Sequence, residues 1–313
     1  MKILIVGASR FLGRNLISVL QNQESSIISK LNLTFFTQDI TTYNLTNKKL
    51  INYYKCDVRS KEDLINVISK SSPDVTLLMA STRYHPSPIN QTDHFDINVG
   101  GIVNTIEAIK ETGNKSNLIF INSGAADEVL LDEKTINLNS YSNGYAQSKF
   151  EASRYFMKEL DSGNIKGAEM RLYTPYGPWD YIDRLIQSTV ISIKKGIKPV
   201  INSPNSQRDF IYISDVTDAI LKLILLPDIS LKLLNIGSSK PRKVASVVKN
   251  IYEIMNETYD YTDVMEDKME QITFMKSDSL ATFKYLNWKP KIDFDEGLNK
   301  TIKWTLNNLD YYL

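Results

Sequence analysis

Tyr145 and Lys149 stand four residues apart in Tyr145-Ala146-Gln147-Ser148-Lys149, a stretch of helical pattern, so the two side chains share one helical face. An ammonium held there lowers the pKa of a phenol from its ordinary value of about 10, which makes the tyrosine a proton shuttle near neutral pH. Helices place Tyr and Lys this way by chance in many proteins, so the spacing alone is a weak signal. Ser123 adds to it: this residue follows the apolar run 117–122, and a hydroxyl at a strand's C-terminal end faces the crevice where open α/β sheets bind ligands. There it can hydrogen-bond a reacting oxygen.

A second set suits a phosphate. Gly7-Ala8-Ser9-Arg10-Phe11-Leu12-Gly13 joins the first apolar run to the first helical pattern. A helix N-terminus at that point offers unpaired N–H groups and a positive dipole end to a pyrophosphate, and glycines let it approach. A tight turn that needs glycine only for packing has the same pattern. Arg10 stands where a dinucleotide loop usually has its middle glycine; its side chain either hampers close backbone approach or itself reaches a phosphate. At the end of the second run, Phe36-Thr37-Gln38-Asp39, Thr37 holds the place where an acid bonds the 2′-hydroxyl of NAD, and Asp39 is either a longer reach to that hydroxyl or a loop residue. The missing acid and Arg10 favour NADP, with NAD the alternative. In Cys56-Asp57-Val58, Asp57 is either an acceptor for the adenine amino group or a strand-end cap.

Such residues need a scaffold. Residues 3–6 read ILIV, a strand buried on both faces, followed by Leu12, Leu16, Val19 and Leu20 at helical spacing. Further strands are expected near 31–37, 53–58, 75–80, 117–122 and 167–172, with helices at 61–69, 95–111 and 145–160. This alternation predicts an α/β fold around a parallel sheet with right-handed crossovers. After Leu172 the pattern shifts to Pro- and Gly-punctuated loops and helices near 181–194, 215–226, 243–255 and 295–308. The expected division is 1–172 and 173–313, with about 208–235 returning to the first part. The acidic, Met-rich stretch 252–270 reads as a solvated helical surface.

Composition narrows the function. With 37 Lys+Arg against 36 Asp+Glu the chain has no basic footprint for nucleic acid or an anionic membrane. Its longest apolar runs fall short of the roughly 20 residues that cross a bilayer, and the N-terminus lacks a secretory pattern. Cys56 is the only cysteine, which excludes an intrachain disulfide and a Cys-based zinc site and suits a cytoplasmic protein; no metal site is expected.

Together these residues resemble the extended short-chain dehydrogenase/reductase superfamily, in its NAD-dependent epimerase/dehydratase branch acting on nucleotide sugars. The resemblance covers almost the whole chain. It includes the glycine loop, Ser123, the YAQSK segment, Asn98-Val99-Gly100-Gly101 read as opening a helix, the segment Arg171 to Pro178, Arg208-Asp209-Phe210, Asn235-Ile236-Gly237 and Asn287-Trp288-Lys289-Pro290. It implies a Rossmann-type, doubly wound parallel sheet with a smaller, mostly helical substrate-binding lobe. It also implies Tyr145 as acid/base, Lys149 on the nicotinamide ribose and Ser123 on the substrate oxygen. Gly7, Ser9, Arg10, Phe11, Leu12, Gly13, Thr37, Asp57, Val58 and Ala80 would line the cofactor, with Tyr173 and Pro175 against the nicotinamide. Arg208 would grip the nucleotide-sugar diphosphate; its alternative is an ion pair with Asp209 or Asp215. Thr174 and His85 would edge the sugar, although Thr174 replaces an asparagine usual in the family, and both His85 and His94 read as polar surface or loop residues ahead of catalytic ones. A homodimer through helices 95–111 and 145–160 is implied as well.

Dehydratases of this family place an Asp-Glu pair directly after the active-site hydroxyl, because elimination needs an acid for the leaving hydroxyl and a base for the C–H. Here Gly124-Ala125-Ala126 follows Ser123, and Asp127-Glu128 comes three positions late. The expectation is therefore an NADPH-dependent 4-ketoreductase of a 4-keto-6-deoxy nucleotide sugar, ahead of a 4-epimerase that retains NAD, a 4,6-dehydratase, and a dinucleotide sensor without chemistry.

Overall fold

The run Ile3-Leu4-Ile5-Val6 has no polar side to turn to water, and the computed structural model, which describes residues 1–36, 40, 45, 48–83, 91–127, 144–258, 265–266 and 274–312, buries all four completely. Strands β1 (Lys2–Val6), β2 (Lys30–Phe35), β3 (Ile51–Lys55), β4 (Val75–Leu78), β5 (Asn117–Ser123) and β6 (Lys166–Leu172) are interleaved with helices α1 (Phe11–Leu20), α2 (Lys61–Ser71), α3 (Gln91–Glu111) and α4 (Gly144–Asp161). Then follow β7 (Thr174–Tyr176), α5 (Leu185–Lys194), β8 (Ile201–Asn202), β9 (Gln207–Arg208), β10 (Phe210–Tyr212), α6 (Ile213–Ile224), β11 (Leu233–Ile236), β12 (Arg242–Lys243), α7 (Val244–Ile254), β13 (Met265–Glu266), α8 (Leu280–Tyr285) and α9 (Phe294–Asn307).

Seven strands form one sheet in the order β3-β2-β1-β4-β5-β6-β11. Pairing is parallel from β3 through to β5, with Ile3 opposite Leu31 on one side and Val75 on the other. Winding reverses between β1 and β4, and this is where open sheets hold ligands beyond their C-terminal ends. Leu4, Val6 and Phe120 share a core with Ile106 of α3 and Phe156 of α4, the two phenyl rings 5.5 Å apart. Ile3 and Ile5 point to the opposite face and are equally buried, so helices cover both sides as a doubly wound sheet requires. Truncating Phe156 to Ala would cost about 3–5 kcal/mol.

The chain groups into two compact units: Met1–Arg171 with Ile220–Leu234, and Leu172–Ala219 with Asn235–Leu313. The returning segment begins at Ile220 rather than near 208, because β10 pairs with β7 and β9 with β12 inside the second unit. That unit packs α9 on α5 and α7, and its strands form three two-stranded pairs.

Other expectations need correction. β3 ends at Lys55, not 58, because the Asp57 N–H leaves the ladder for the Asp63 carboxylate at 2.9 Å. Asn98 to Gly101 lie inside α3, which begins at Gln91 with Asp93 favouring its positive end. The 252–270 stretch is not one helical surface: α7 stops at Ile254, and Met265–Glu266 pairs in parallel with β8. Cys56, just past β3, is 3% exposed, and burial with the charges of Asp63 and Asp57 pushes its thiol up to about 12. Among the described residues no helix is long and apolar enough to cross a membrane.

Candidate active site

The glycine loop sits between the C-terminal end of β1 and α1. Gly7 has φ +87°, and a Cβ there would lie 2.6 Å from the Ala80 backbone; a Cβ on Gly13 would lie 2.1 Å from the Ala8 carbonyl oxygen. Only glycine permits the loop to turn this tightly and α1 to come this close. The loop is pinned by the Gly7 N–H donating to Thr34 Oγ1 at 3.0 Å and the Ala8 N–H to the Thr34 carbonyl at 2.9 Å. The Arg10 side chain makes no capping hydrogen bond to α1, and a glycine loop at the positive end of a helix fits a dinucleotide pyrophosphate. Ser9 and Phe11 are buried, Leu12 half-buried, and the Arg10 side chain exposed where a phosphate oxygen would approach from solvent. The Asp57 carboxylate is clasped by Arg59, through Nε at 3.0 Å and Nη2 at 2.6 Å. Partial burial pushes its carboxyl up, but the hydrogen bonds and charge of Arg59 together outweigh this and leave it below the usual range. Val58 is part of the core under α3. Thr37, Asp39 and His85 lie outside the described residues.

Ser123 is the last residue of β5 rather than the first beyond it, and its Oγ accepts the Ala125 N–H at 3.2 Å. Ala125 packs with Ala146 and Tyr145, which brings the chain after β5 against the first turn of α4. Lys149 is 2% exposed, with Nζ 5.7 Å from the Tyr145 ring centroid and 5.8 Å from that of Phe120. Burial pushes its ammonium down to about 7, against the opposing charge of Glu169.

Beneath this pair lies a network that sequence reasoning missed. Asn122 Nδ2 donates to the Lys149 carbonyl at 3.1 Å and to Glu169 Oε1 at 2.8 Å. Glu169, with no exposure, also accepts from Ser153 Oγ at 2.6 Å and Arg171 Nε at 2.7 Å. Arg171 completes its fork on Ser153 and on the carboxylate of Asp127. One signal was available: Glu169 and Arg171 stand two apart in the otherwise apolar strand KGAEMRL, so they share a face and must satisfy each other.

In the second unit, Tyr173 is buried against Met275, and Thr174 directs its hydroxyl to the Met275 sulfur at 3.6 Å. Pro175 continues β7 opposite Ile211. Arg208 on β9 donates Nη1 to the Gln207 carbonyl at 3.0 Å and pairs in register with Arg242. The two carboxylates weighed as its partners serve elsewhere. Asp209, fully buried, accepts from the N–H groups of Ser238, Ser239 and Ser277 and from two serine hydroxyls, at 2.5–3.0 Å. Asp215 accepts the N–H groups of Lys291 and Ile292 at 3.0 and 3.1 Å.

Comparison with known proteins identifies the family. A profile of the NAD dependent epimerase/dehydratase family matches residues 3–237. Protein CapI of Staphylococcus aureus is 25% identical over 343 residues, covering 100% of this chain and 99% of CapI. Among solved structures, UDP-glucose 4-epimerase of Thermotoga maritima with UDP-glucose superposes with a TM-score of 0.83 at 19% identity, covering 99% of this chain and 100% of that one. For dTDP-glucose 4,6-dehydratase of Bacillus anthracis in complex with NAD the TM-score is 0.80 at 20% identity, covering 99% and 98%. Likeness at these identities establishes the fold; the profile, spanning most of the chain from the first strand onward, establishes that this protein belongs to the NAD-dependent epimerase/dehydratase family.

Proposed function

We propose that this chain reduces the 4-keto group of an NDP-4-keto-6-deoxy-hexose with NADPH. The observation that carries the reading is the first turn of α4, where Tyr145 stands beside the fully buried amine of Lys149 and next to the chain leaving Ser123. The nicotinamide supplies the hydride. Tyr145 gives its proton to the carbonyl oxygen, Ser123 hydrogen-bonds that oxygen, and Lys149 holds the nicotinamide ribose while its charge favours ionisation of the phenol. The family resemblance would set Tyr173 and Pro175 against the nicotinamide, Thr174 and His85 at the sugar, and the planar fork of Arg208 on the diphosphate. NADP in preference to NAD rests on Arg10 and on Thr37 in place of an acid.

The state of Asp127 speaks against elimination of water. A dehydratase needs a further acid and base, and the first carboxylate after Ser123 is held by the buried Arg171. A second reading is 4-epimerisation with NAD retained through each turnover, which needs no residue beyond the same Ser123, Tyr145 and Lys149. In either case the working form is a cytoplasmic homodimer joined through α3 and α4, which pack on each other within one chain and leave Phe150 and Tyr155 only partly buried.

The test is to release and identify by mass spectrometry the nucleotide that copurifies with the protein, then to titrate the emptied protein with NADPH and NADH. An empty protein preferring NADPH, with turnover of 4-keto-6-deoxy UDP- or dTDP-hexoses, supports the reductase; retained NAD and turnover of UDP-hexoses supports the epimerase. Tyr145→Phe should lower turnover by about 10²–10⁴ with cofactor affinity nearly unchanged. Unchanged turnover would sink both readings.

A further inference from the structure

Tyr145 is braced from α3 as well as by its own helix. Asn98 is buried, and its amide orientation is set by the Thr82 N–H, which can only donate and meets Oδ1 at 3.0 Å. Oδ1 also accepts from Ser81 Oγ at 3.0 Å. The Nδ2 group then donates to Ser148 Oγ and to Thr82 Oγ1, each at 2.8 Å. Ser148 passes its own proton to the Tyr145 carbonyl at 2.8 Å. The Thr82 hydroxyl is 2.6 Å from His94 Nδ1, and the His94 ring stands edge-on to the Tyr145 ring with centroids 5.9 Å apart at 75°. One side-chain amide thus reaches the catalytic turn by two arms, one ending on the Tyr145 backbone and the other on its ring.

We propose that His94 is a positioning residue for Tyr145: the buried Thr82 hydroxyl donates to His94 Nδ1, fixes a neutral imidazole protonated at Nε2, and so holds the ring that orients the phenol. This rests on the reading of Tyr145 as the proton donor. An oxygen that already takes a proton from Asn98 has its own proton left for His94, and Thr82 has too little exposure to give it to water. The charged groups acting on His94 are Asp93 on α3 and Lys149 on α4. Burial, the largest effect, pushes the imidazole pKa down and Lys149 adds to it, while Asp93 opposes. A neutral ring is the one that can accept at Nδ1. An apolar residue at this half-buried position would fill the space without linking Tyr145 to the segment that follows β4.

The chain has two histidines, so a ¹⁵N-histidine spectrum contains two imidazoles, and His85→Asn assigns them. The expected signature of His94 is a protonated Nε2 and an accepting Nδ1, kept in Thr82→Ser and lost in Thr82→Val. In ¹³Cζ-tyrosine protein loaded with NADH or NADPH, with the resonance assigned by Tyr145→Phe, Thr82→Val and His94→Ala should each broaden or split the Tyr145 signal and move its titration midpoint toward about 10. The double variant should add nothing to either single one. Turnover should fall about tenfold in kcat with both KM values within twofold, and Thr82→Ser should retain it. An Nδ1-protonated His94, or a Tyr145 signal unmoved in both variants, would overturn the proposal. The two readings fail separately: active Tyr145→Phe protein removes the proton-donor role, whereas inactive Tyr145→Phe with wild-type kcat and Tyr145 signal in Thr82→Val and His94→Ala removes only the brace.

Discussion

In the first unit the reactive side chains stand at the ends of long strands and on the opening turn of an eighteen-residue helix, whereas in the second Arg208 lies on a strand of two residues. The long elements are held by many ladder bonds and a shared core, which place the backbones of Tyr145 and Ser123 and leave polar groups such as Thr82 and His94 to orient the phenol. The polar network under α4 adjusts orientation on a scaffold that already exists. The short ribbon around Arg208 is held by fewer backbone bonds, among them the Met275 N–H on the Gln207 carbonyl at 3.0 Å, and by the buried carboxylate of Asp209, which gathers the serine turn at 238–239 and Ser277 around it. On the proposed reading, the proton chemistry is carried by the deep framework, and the ribbon that would take the sugar nucleotide is stitched by a few hydrogen bonds and is easier to remodel.

The sharpest way to break this contrast is Arg171→Met. Removing one partner of a buried charge pair leaves Glu169 uncompensated, so the expected loss is about 3–5 kcal/mol, a fall in Tm of about 10 °C by calorimetry. A loss under 1 kcal/mol would mean that the first unit does not depend on the network.

Lys149→Met should act with the opposite sign. Its folded pKa lies below its unfolded value, so burying the ammonium costs stability below about pH 7, and the cost fades as pH rises through 7 toward about 10. At about 1.4 kcal/mol per pKa unit, the variant should be more stable at pH 6 by on the order of 5 kcal/mol, with the gap in Tm narrowing at pH 9 although turnover is lost. A gap that does not change with pH would mean that the amine is not buried with its charge.

In the second unit, Asp209→Asn keeps the shape but turns an NH2 group toward donors. The expected cost is about 2–3 kcal/mol, with a higher KM for the sugar nucleotide and an unchanged affinity for the cofactor. Weakened cofactor binding would show that the ribbon serves both units. The smallest effect is expected for Arg208→Ala: a roughly tenfold higher KM for the sugar nucleotide, about 1.4 kcal/mol, with unfolding unchanged within about 0.5 kcal/mol. Equal losses in substrate and cofactor binding would assign Arg208 a structural role.

The sequence made the chemistry legible where it is local. Tyr145 and Lys149 are linked by helix periodicity, and the glycine loop by the turn between β1 and α1, so both could be found by spacing. The strand and helix alternation followed from apolar runs long enough to be buried. What escaped depends on distance along the chain. Nothing near Asp127 announces Arg171, 44 residues away, and nothing near Asn98 announces Ser148, 50 residues on. His94 reads as a surface residue in the sequence because the Tyr145 ring reaches it only through the packing of α3 on α4, and Thr82 only through the path of the chain from β4 into α3. The early end of β3 was hidden for the same reason, since Asp63 takes the Asp57 N–H from the following helix.

Cys56 gives the chain a built-in clock. A thiol that is neither solvated nor ionised inside the fold reacts with an aqueous disulfide reagent only when the segment between β3 and α2 opens. Because it is the only sulfhydryl, the labelling rate in native buffer reports that one opening event without spectral assignment. Comparing the rate with and without NADPH would measure how far the grip on a dinucleotide extends along the sheet toward its outermost strand.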